Sequence, residues 1–422
     1  MKETPISSFD RTKVVLKTTA KVGAIKSKEI VKRAFLSQEK RQEVKDSVKD
    51  EVAKVIFENI SLLKGTAVKI AQSLALHNIL PLSLQKELTK SYNSIEPINQ
   101  ALVMKIVQNE FQKFYYEVFK EFELKPFASA SLGQVHRAKT FDGESIAVKI
   151  QYPSIDKTIK SDINLIRKLI HLKRNISDII DEIEDKLYDE IDYKKEALNT
   201  KWAYKNFQTE NSLVPKVYDK YSTRHILTTE YIEGVDLFSW LKTNPTKKQK
   251  ELVANEIFHI FIKSIFELKQ IQADPNPANY LITKENKVAL IDFGCVKKFD
   301  EDFIAEFINI MRIYTLDDRE KILQAYKEIE LISDKADVSD AVYQGILRFN
   351  RWAVEPILSD SFVFTKEYLD VGVEFTDFFT KKPFKVVRDY IFLDRTMHGL
   401  WSLFEQMGVD IDMREYKGYL NL

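Results

Sequence analysis

The sequence predicts an α+β protein with three parts in order: a helical extension, a small antiparallel sheet lobe and a helical lobe. Three observations predict it. Gly and Pro are scarce, at 11 each, so little in the chain breaks a helix. Near residue 125 the texture changes, and PFASASLGQVHRAKTFDGESIAVKIQYP alternates about a turn as strands do. After Gly234 the helical pattern returns and is interrupted only by YLITKENKVALIDF (280–293), which reads as a hairpin.

Taken in order, residues 12–120 read as helix. Within them Val52, Val55, Ile56, Ile60 and Leu63 keep i, i+3, i+4 spacing, and Pro81 ends or bends the run. Strands are expected near 125–130, 134–140 and 145–151, the last two joined at Phe141-Asp142-Gly143-Glu144. Residues 155–207 are charge-rich and helical, and 214–234 reads as two more strands. That makes about five strands in one antiparallel sheet. Residues 300–422 are again helical. The expected boundaries are a basic helical segment (1–50), a helical extension (51–120), a sheet lobe with a helical insertion (121–234) and a helical lobe (235–422).

Hydrophobic residues make up 44% of the chain, with 27 Phe and 18 Tyr, ample for a core. A net charge of +1 gives no case for nucleic acid. Residues 1–50 hold thirteen Lys or Arg against seven Asp or Glu. Such a segment either rests on an anionic membrane or partner, or is a solvated helix. One cysteine, Cys295, excludes an internal disulfide and suits a reducing compartment. The start MKETPISSFD lacks an apolar core and is not a signal peptide. No run approaches the ~18 apolar residues of a membrane span. The expectation is a cytoplasmic protein, free or peripheral on the inner face of a membrane.

ASASLGQV (128–135) has the rhythm of a phosphate-cradling glycine loop, with alanine where the first two glycines belong. Alone it is a small-residue turn as readily as a nucleotide loop. Its candidate contacts are Ala128, Ser129, Ala130, Ser131, Gly133 and Gln134. Fourteen residues after Val135, IAVK ends on Lys149, placed to meet phosphates; the plain alternative is a surface lysine. QADPNPAN then sets Asp274 and Asn279 five apart, and KVALIDFG brings Asp292 eighteen residues after Asp274. D-x-x-x-x-N followed by D-F-G is the catalytic-loop and metal-loop spacing of protein kinases. Phosphoryl transfer is mostly positioning and charge neutralisation. Asp274 would orient the attacking hydroxyl or water, while Asn279 and Asp292 offer the hard oxygens that Mg²⁺ prefers. Glu230-Tyr-Ile-Glu-Gly, with Glu230 and Ile232, sits where a kinase hinge meets adenine through backbone groups. The six histidines show no metal-ligand spacing; His136 and His225 fall in predicted strands and His259 in a helix. Cys295 reads as a small buried residue.

Together ASASLGQVHRA, IAVKIQYP, EIDYKKEALN, ILTTEYIEG, QADPNPANYLI and KVALIDFG resemble the UbiB family, also called ABC1, ADCK or AarF, over residues 60–300. These are atypical protein-kinase-like proteins linked to ubiquinone and other prenyl-lipid pathways. The resemblance implies a two-lobed protein-kinase-like fold, ATP and Mg²⁺ as cofactors, and an alanine-rich loop in place of the glycine loop. It implies that Glu196 pairs with Lys149. It also implies that Lys69 and Gln72, the K-x-G-Q signature with Ala71 for its glycine, approach Glu190 and Asp192 of the E-x-D signature. Quinone precursors or quinone-biosynthesis proteins would be partners.

The chain departs from typical kinases in two ways. Ile271-Gln272-Ala273 stands where His-Arg would precede Asp274, and no A-P-E follows Asp292 before helix resumes near 301. Little room is left to dock a peptide. The expected activity is an ATPase, or a kinase of a small or lipidic molecule. The rivals are a silent nucleotide-binding scaffold and a small-molecule kinase of the aminoglycoside or choline type.

Overall fold

The computed structural model describes residues 97–421, except Ser131, 170–173, 317, 334, 336–337, 380–383 and 385–387, and scattered positions between 20 and 55. Most of the basic segment 1–50, most of the extension 51–120, and Lys69, Ala71, Gln72 and Ser131 therefore lie outside the described residues. The chain divides into two compact units: residues up to Lys195 with Val217–Tyr231, and Glu196–Lys216 with Ile232–Leu422.

The first unit is built on a five-stranded sheet, β1(Glu121–Phe122), β2(Ala128–Ala130), β3(Gly133–Lys139), β4(Ser145–Gln151) and β6(Ile226–Glu230). The order is β1-β3-β4-β6 with β2 also on β3, and every pairing is antiparallel. The β3–β4 turn closes where expected, with Gly143 at φ 91 and its N–H donating to Thr140 O. Strand alternation puts His136, Ala138, Ile146, Val148, Ile150 and Ile226 on one face. All are buried against Val103 and Val107 of helix Gln100–Phe111, which Asn99 caps. Lys149 stands on the opposite face, between Val135 and Leu227.

The charge-rich stretch after β4 forms helices Ile155–Leu169 and Arg174–Glu190. They close on a small core of Ile155, Ile159, Ile163, Ile180, Ile183 and Leu187, the i, i+4 and i, i+3 contacts of a helical hairpin. A third helix, Tyr193–Phe207, begins in this unit and continues into the other.

The first unit differs from expectation in which segments supply its strands. Segment 214–234 supplies one strand of the sheet, β6, and only a bridge from Val217 to Thr229. The fifth strand is β1, a two-residue piece with no alternation long enough to read. His225 lies just before β6.

The second unit packs around helix Lys247–Phe266, capped by Thr246 and Gln249 in a capping box. Ten of its residues are buried, so it is apolar nearly all round, which is why IFHIFIKSIFEL reads as so hydrophobic. Trp240, Trp352 and Trp401 lie in the surrounding core, and Trp202 packs against it. The expected hairpin is present as β9(Tyr280–Ile282) and β10(Val288–Leu290). It sits in a four-stranded sheet with β5(Ser212–Leu213) and β7(Val235–Asp236), in the order β5-β10-β9-β7. The pairs β8(Gln270–Gln272) with β11(Val296–Lys298), and β12(Ser361–Val363) with β13(Asp410–Asp412), went unread because three-residue strands carry no period.

Candidate functional site

In the first unit, Ala128, Ser129 and Ala130 form a strand rather than a coiled loop. Ala128 pairs with Val135 and Ala130 with Gly133, and none of the three has a positive φ. Alanine fits such extended backbone without strain. Gly133 is needed for a different reason, close approach. A Cβ there would lie 2.5 Å from the Ile150 carbonyl oxygen and 2.7 Å from the Tyr193 hydroxyl.

Gln134 turns its side chain to the core face, where it is 1% exposed. Its Oε1 accepts from Ile98 N at 2.9 Å, and its Nε2 stands 2.8 Å from His136 Nε2. His136 Nδ1 lies 2.8 Å from the Glu123 carbonyl, an acceptor, so Nδ1 carries the proton and Nε2 accepts from Gln134. Burial holds the His136 pKa below its ordinary value, consistent with this neutral tautomer.

Lys149 Nζ lies 5.2 Å from the ring centroid of buried Tyr193, a cation–π contact. Gln151, two residues on, donates to the Ile191 carbonyl at 2.7 Å and ties β4 to the E-x-D segment. There Glu190 is buried, and Asp192 Oδ1 accepts from the N–H groups of Lys194 and Lys195 at 3.1 and 3.0 Å. Asp192 therefore caps the helix that begins at Tyr193. Glu230 is exposed at the end of β6, opposite Ile146. Tyr231 N continues the ladder to Ser145 O at 3.1 Å, and Ile232 is the first residue of the second unit.

In the second unit the two acidic loops are held together from below. Strands β8 and β11 pair immediately before Asp274 and just after Asp292, and the ladder continues from Ala273 N to Cys295 O at 2.9 Å. Gln272 Nε2 donates to the Asp274 carbonyl at 2.8 Å and to the Asp292 carbonyl at 3.3 Å, bridging both loops. Asn279 Nδ2 donates to the Asp274 carbonyl at 3.0 Å and approaches its Oδ2 at 3.4 Å. Its amide oxygen is thereby turned away from Asp274. Asp292 Oδ1 accepts from Gly294 N at 2.9 Å. A Cβ on Gly294 would stand 3.2 Å from Asp292 Oδ1 and 3.7 Å from Glu196 Oε2, so Glu196, buried in the first turn of its helix, lies beside the D-F-G turn. Asn199, one turn further along, donates to the Phe293 carbonyl at 3.0 Å. Burial, and secondarily the Asp274 charge, push the Tyr280 hydroxyl far above its ordinary pKa.

The second unit thus brings together Asp274, Asn279, Asp292 and Glu196, and the first brings together Ala128–Ala130, Gly133 and Lys149. Lys149 and Glu196 belong to different units. Cys295 is half-buried rather than buried. Helix Glu301–Tyr314 starts where expected, soon after the D-F-G turn.

Two residues of these sites were not singled out by sequence. Gln272 occupies the place of the kinase histidine before Arg-Asp, a position that could have flagged it. Tyr193 follows the E-x-D segment directly, but nothing in its spacing points to Lys149.

The family model for the ABC1 atypical kinase-like domain matches residues 90–326. The chain is 30% identical over 278 residues to the mitochondrial atypical kinase COQ8 of Saccharomyces cerevisiae, covering 63% of this chain and 54% of that protein. It is 28% identical over 292 residues to the mitochondrial atypical kinase COQ8B of Danio rerio, covering 67% and 46%. The chain thus spans about half the length of these curated relatives. Among solved structures, that of Rv3197 in complex with erythromycin, from Mycobacterium tuberculosis, matches with a TM-score of 0.63 at 23% identity. It covers 90% of this chain and 98% of that one.

Proposed function

Because the chain belongs to the ABC1 atypical kinase-like family, we propose that it binds Mg-ATP and transfers the γ-phosphoryl group to water or to a small or lipidic acceptor, in support of isoprenoid-quinone biosynthesis. Its fold is α+β and protein-kinase-like. The observation that carries the reading is the tethered group of Asp274, Asn279 and Asp292, fixed at backbone level through Gln272 and the β8–β11 pair.

In this reading Asp274 accepts a hydrogen bond from the attacking hydroxyl or water and orients it. The amide oxygen of Asn279 and the carboxylate of Asp292 would hold Mg²⁺. Both are hard oxygen donors, and the donation of Nδ2 to Asp274 leaves Asn279 presenting oxygen on its other side. A bound Mg²⁺ supplies charge neutralisation at the phosphates. The family resemblance assigns Lys149, on β4, to the phosphates and names Glu196 as its expected partner. Ala128, Ser129, Ala130, Ser131, Gly133 and the Gln134 backbone would line the phosphate path, and the backbone at Glu230 and Ile232 would meet adenine. By the family resemblance, Lys69 and Gln72 of the extension would be the residues that approach Glu190 and Asp192.

No helix among the described residues is long and apolar enough to cross a membrane. We place the protein in the cytoplasm, either free or peripheral at an anionic membrane through its basic first 50 residues. Quinone precursors, or proteins that make them, are the proposed partners.

The test is Mg²⁺-dependent phosphate release from ATP, with and without anionic liposomes, beside Asp292→Asn. Release that falls at least about a hundredfold in the variant supports the site. ATP binding without release in either condition would instead select the silent scaffold, and a phosphorylated aminoglycoside- or choline-type product the small-molecule kinase of that type.

A further inference from the structure

The loop that carries Asp274 lacks the His-Arg of typical kinases, and Ala273 occupies the arginine position. A guanidinium reaches that position from far along the chain. Arg395, on helix Arg388–Met407, donates from an Nη nitrogen to the Ala273 carbonyl at 2.9 Å. One turn further, Gly399 lies against Pro275, the residue that follows Asp274. A Cβ on Gly399 would lie 2.2 Å from Pro275 Cγ and 2.9 Å from Pro275 Cβ. Pro275 is a ring fused to the backbone and cannot swing aside. The helix therefore grips the residues on either side of Asp274, one by a charge-assisted hydrogen bond and one by a contact that only glycine permits.

The same helix is fixed to the neighbouring loop. Asp389 pairs with Lys297 of β11 at 2.5 Å, five residues after Asp292, with both side chains about a quarter exposed. Leu393 and Leu400 on its inner face are each 1% exposed in the core. All these contacts lie within the second unit. The family model ends at residue 326, so the helix is outside what that match covers.

We infer that helix Arg388–Met407 positions the catalytic loop, with Arg395 and Gly399 as positioning residues that hold Ala273 and Pro275 and so aim Asp274. Arg395 binds a backbone carbonyl and acts through its neighbour, touching neither nucleotide nor acceptor. The inference rests on the proposed phosphoryl-transfer reading for its catalytic consequence, but not for its structural one.

The test uses the full chain with Arg395→Met, which keeps the aliphatic stem and removes the donors, Arg395→Lys, which keeps one cationic donor, and Gly399→Ala. In Arg395→Met, kcat for ATP turnover should fall about 10- to 100-fold, the cost of a misplaced catalytic group, while KM for ATP stays within about twofold. Arg395→Lys should recover part of the loss, and Gly399→Ala should reproduce it. Hydrogen exchange without nucleotide gives a second readout: amides of residues 270–280 should exchange faster in Arg395→Met while the rest of the second unit is unchanged. Unchanged kcat and unchanged exchange would overturn the inference. So would exchange that rises evenly across the second unit with a general loss of stability, because the helix would then only be holding the unit together. If the unaltered protein releases no phosphate, the function reading fails, and local exchange at 270–280 still decides the inference.

Discussion

Gly133→Ala is the sharpest test of how the first unit is put together. Gly133 opens β3 opposite Gln151 of β4. The added methyl carbon would sit 2.5 Å from the Ile150 carbonyl oxygen, about 0.9 Å inside the 3.4 Å of ordinary contact. It would also sit 2.7 Å from the Tyr193 hydroxyl. A tyrosine can shift, but the Ile150 carbonyl belongs to a strand paired on both sides and cannot retreat without loosening a ladder. Overpacking of this kind costs about 1–3 kcal/mol. For a unit of about 200 residues, at about 2–4 °C per kcal/mol, that is a fall of about 2–12 °C in the melting midpoint. Because Tyr193 also lies against Lys149, the variant should weaken ATP binding as well. Circular-dichroism melts and calorimetric titration with ATP measure the two effects. Adding Tyr193→Phe should not restore stability, since the carbonyl clash remains. A Gly133→Ala protein that melts within ~1 °C of the unaltered one would refute the argument that close approach is what requires glycine.

The alanine strand and the buried histidine give further predictions. Ala130→Gly places a freer residue in the extended β2, so it should cost about 0.5–1 kcal/mol in chemical denaturation and alter nucleotide selectivity or turnover. Identical ATP and ADP affinities and identical rates would sink that expectation. His136 is held neutral by burial, with its folded pKa below the ordinary 6.5. The unfolded chain therefore binds the proton more readily. The contribution of His136 to stability should be complete above pH 6.5 and should decline as the pH falls below it. Imidazole shifts followed by NMR should keep His136 neutral at pH 6.5; a midpoint at or above that value contradicts the buried Gln134–His136–Glu123 chain.

The long strands read in advance, β3 and β4, put every second residue into one core to which β6 adds Ile226, while the short β2 and the β9–β10 hairpin were read from the texture around their turns. The pieces missed are two or three residues long, and their pairing is decided by contacts distant in sequence, as in Val296 opposite Gln272. The acidic residues of the second unit were legible because phosphoryl chemistry fixes both their type and their spacing. Glu196 was legible only through the family resemblance. The supports behind them were not legible. Gln272 was visible only as a departure from His-Arg-Asp. Arg395 is 122 residues from the carbonyl it binds, a separation at which no local pattern carries information. The strand expected near 125–130 is present as Ala128–Ala130, paired with Gly133–Val135, and its backbone asks nothing that alanine cannot give.

The division into two units has a practical consequence for spectroscopy. The four tryptophans, Trp202, Trp240, Trp352 and Trp401, all belong to the second unit, while tyrosines occur in both. Emission excited at the red edge, where only indole absorbs, is therefore a private signal of the unit carrying Asp274 and Asp292. A melt followed that way and one followed by far-ultraviolet ellipticity report on different parts of the molecule. If the two curves separate, the gap between their midpoints measures how independently the lysine-bearing sheet holds together.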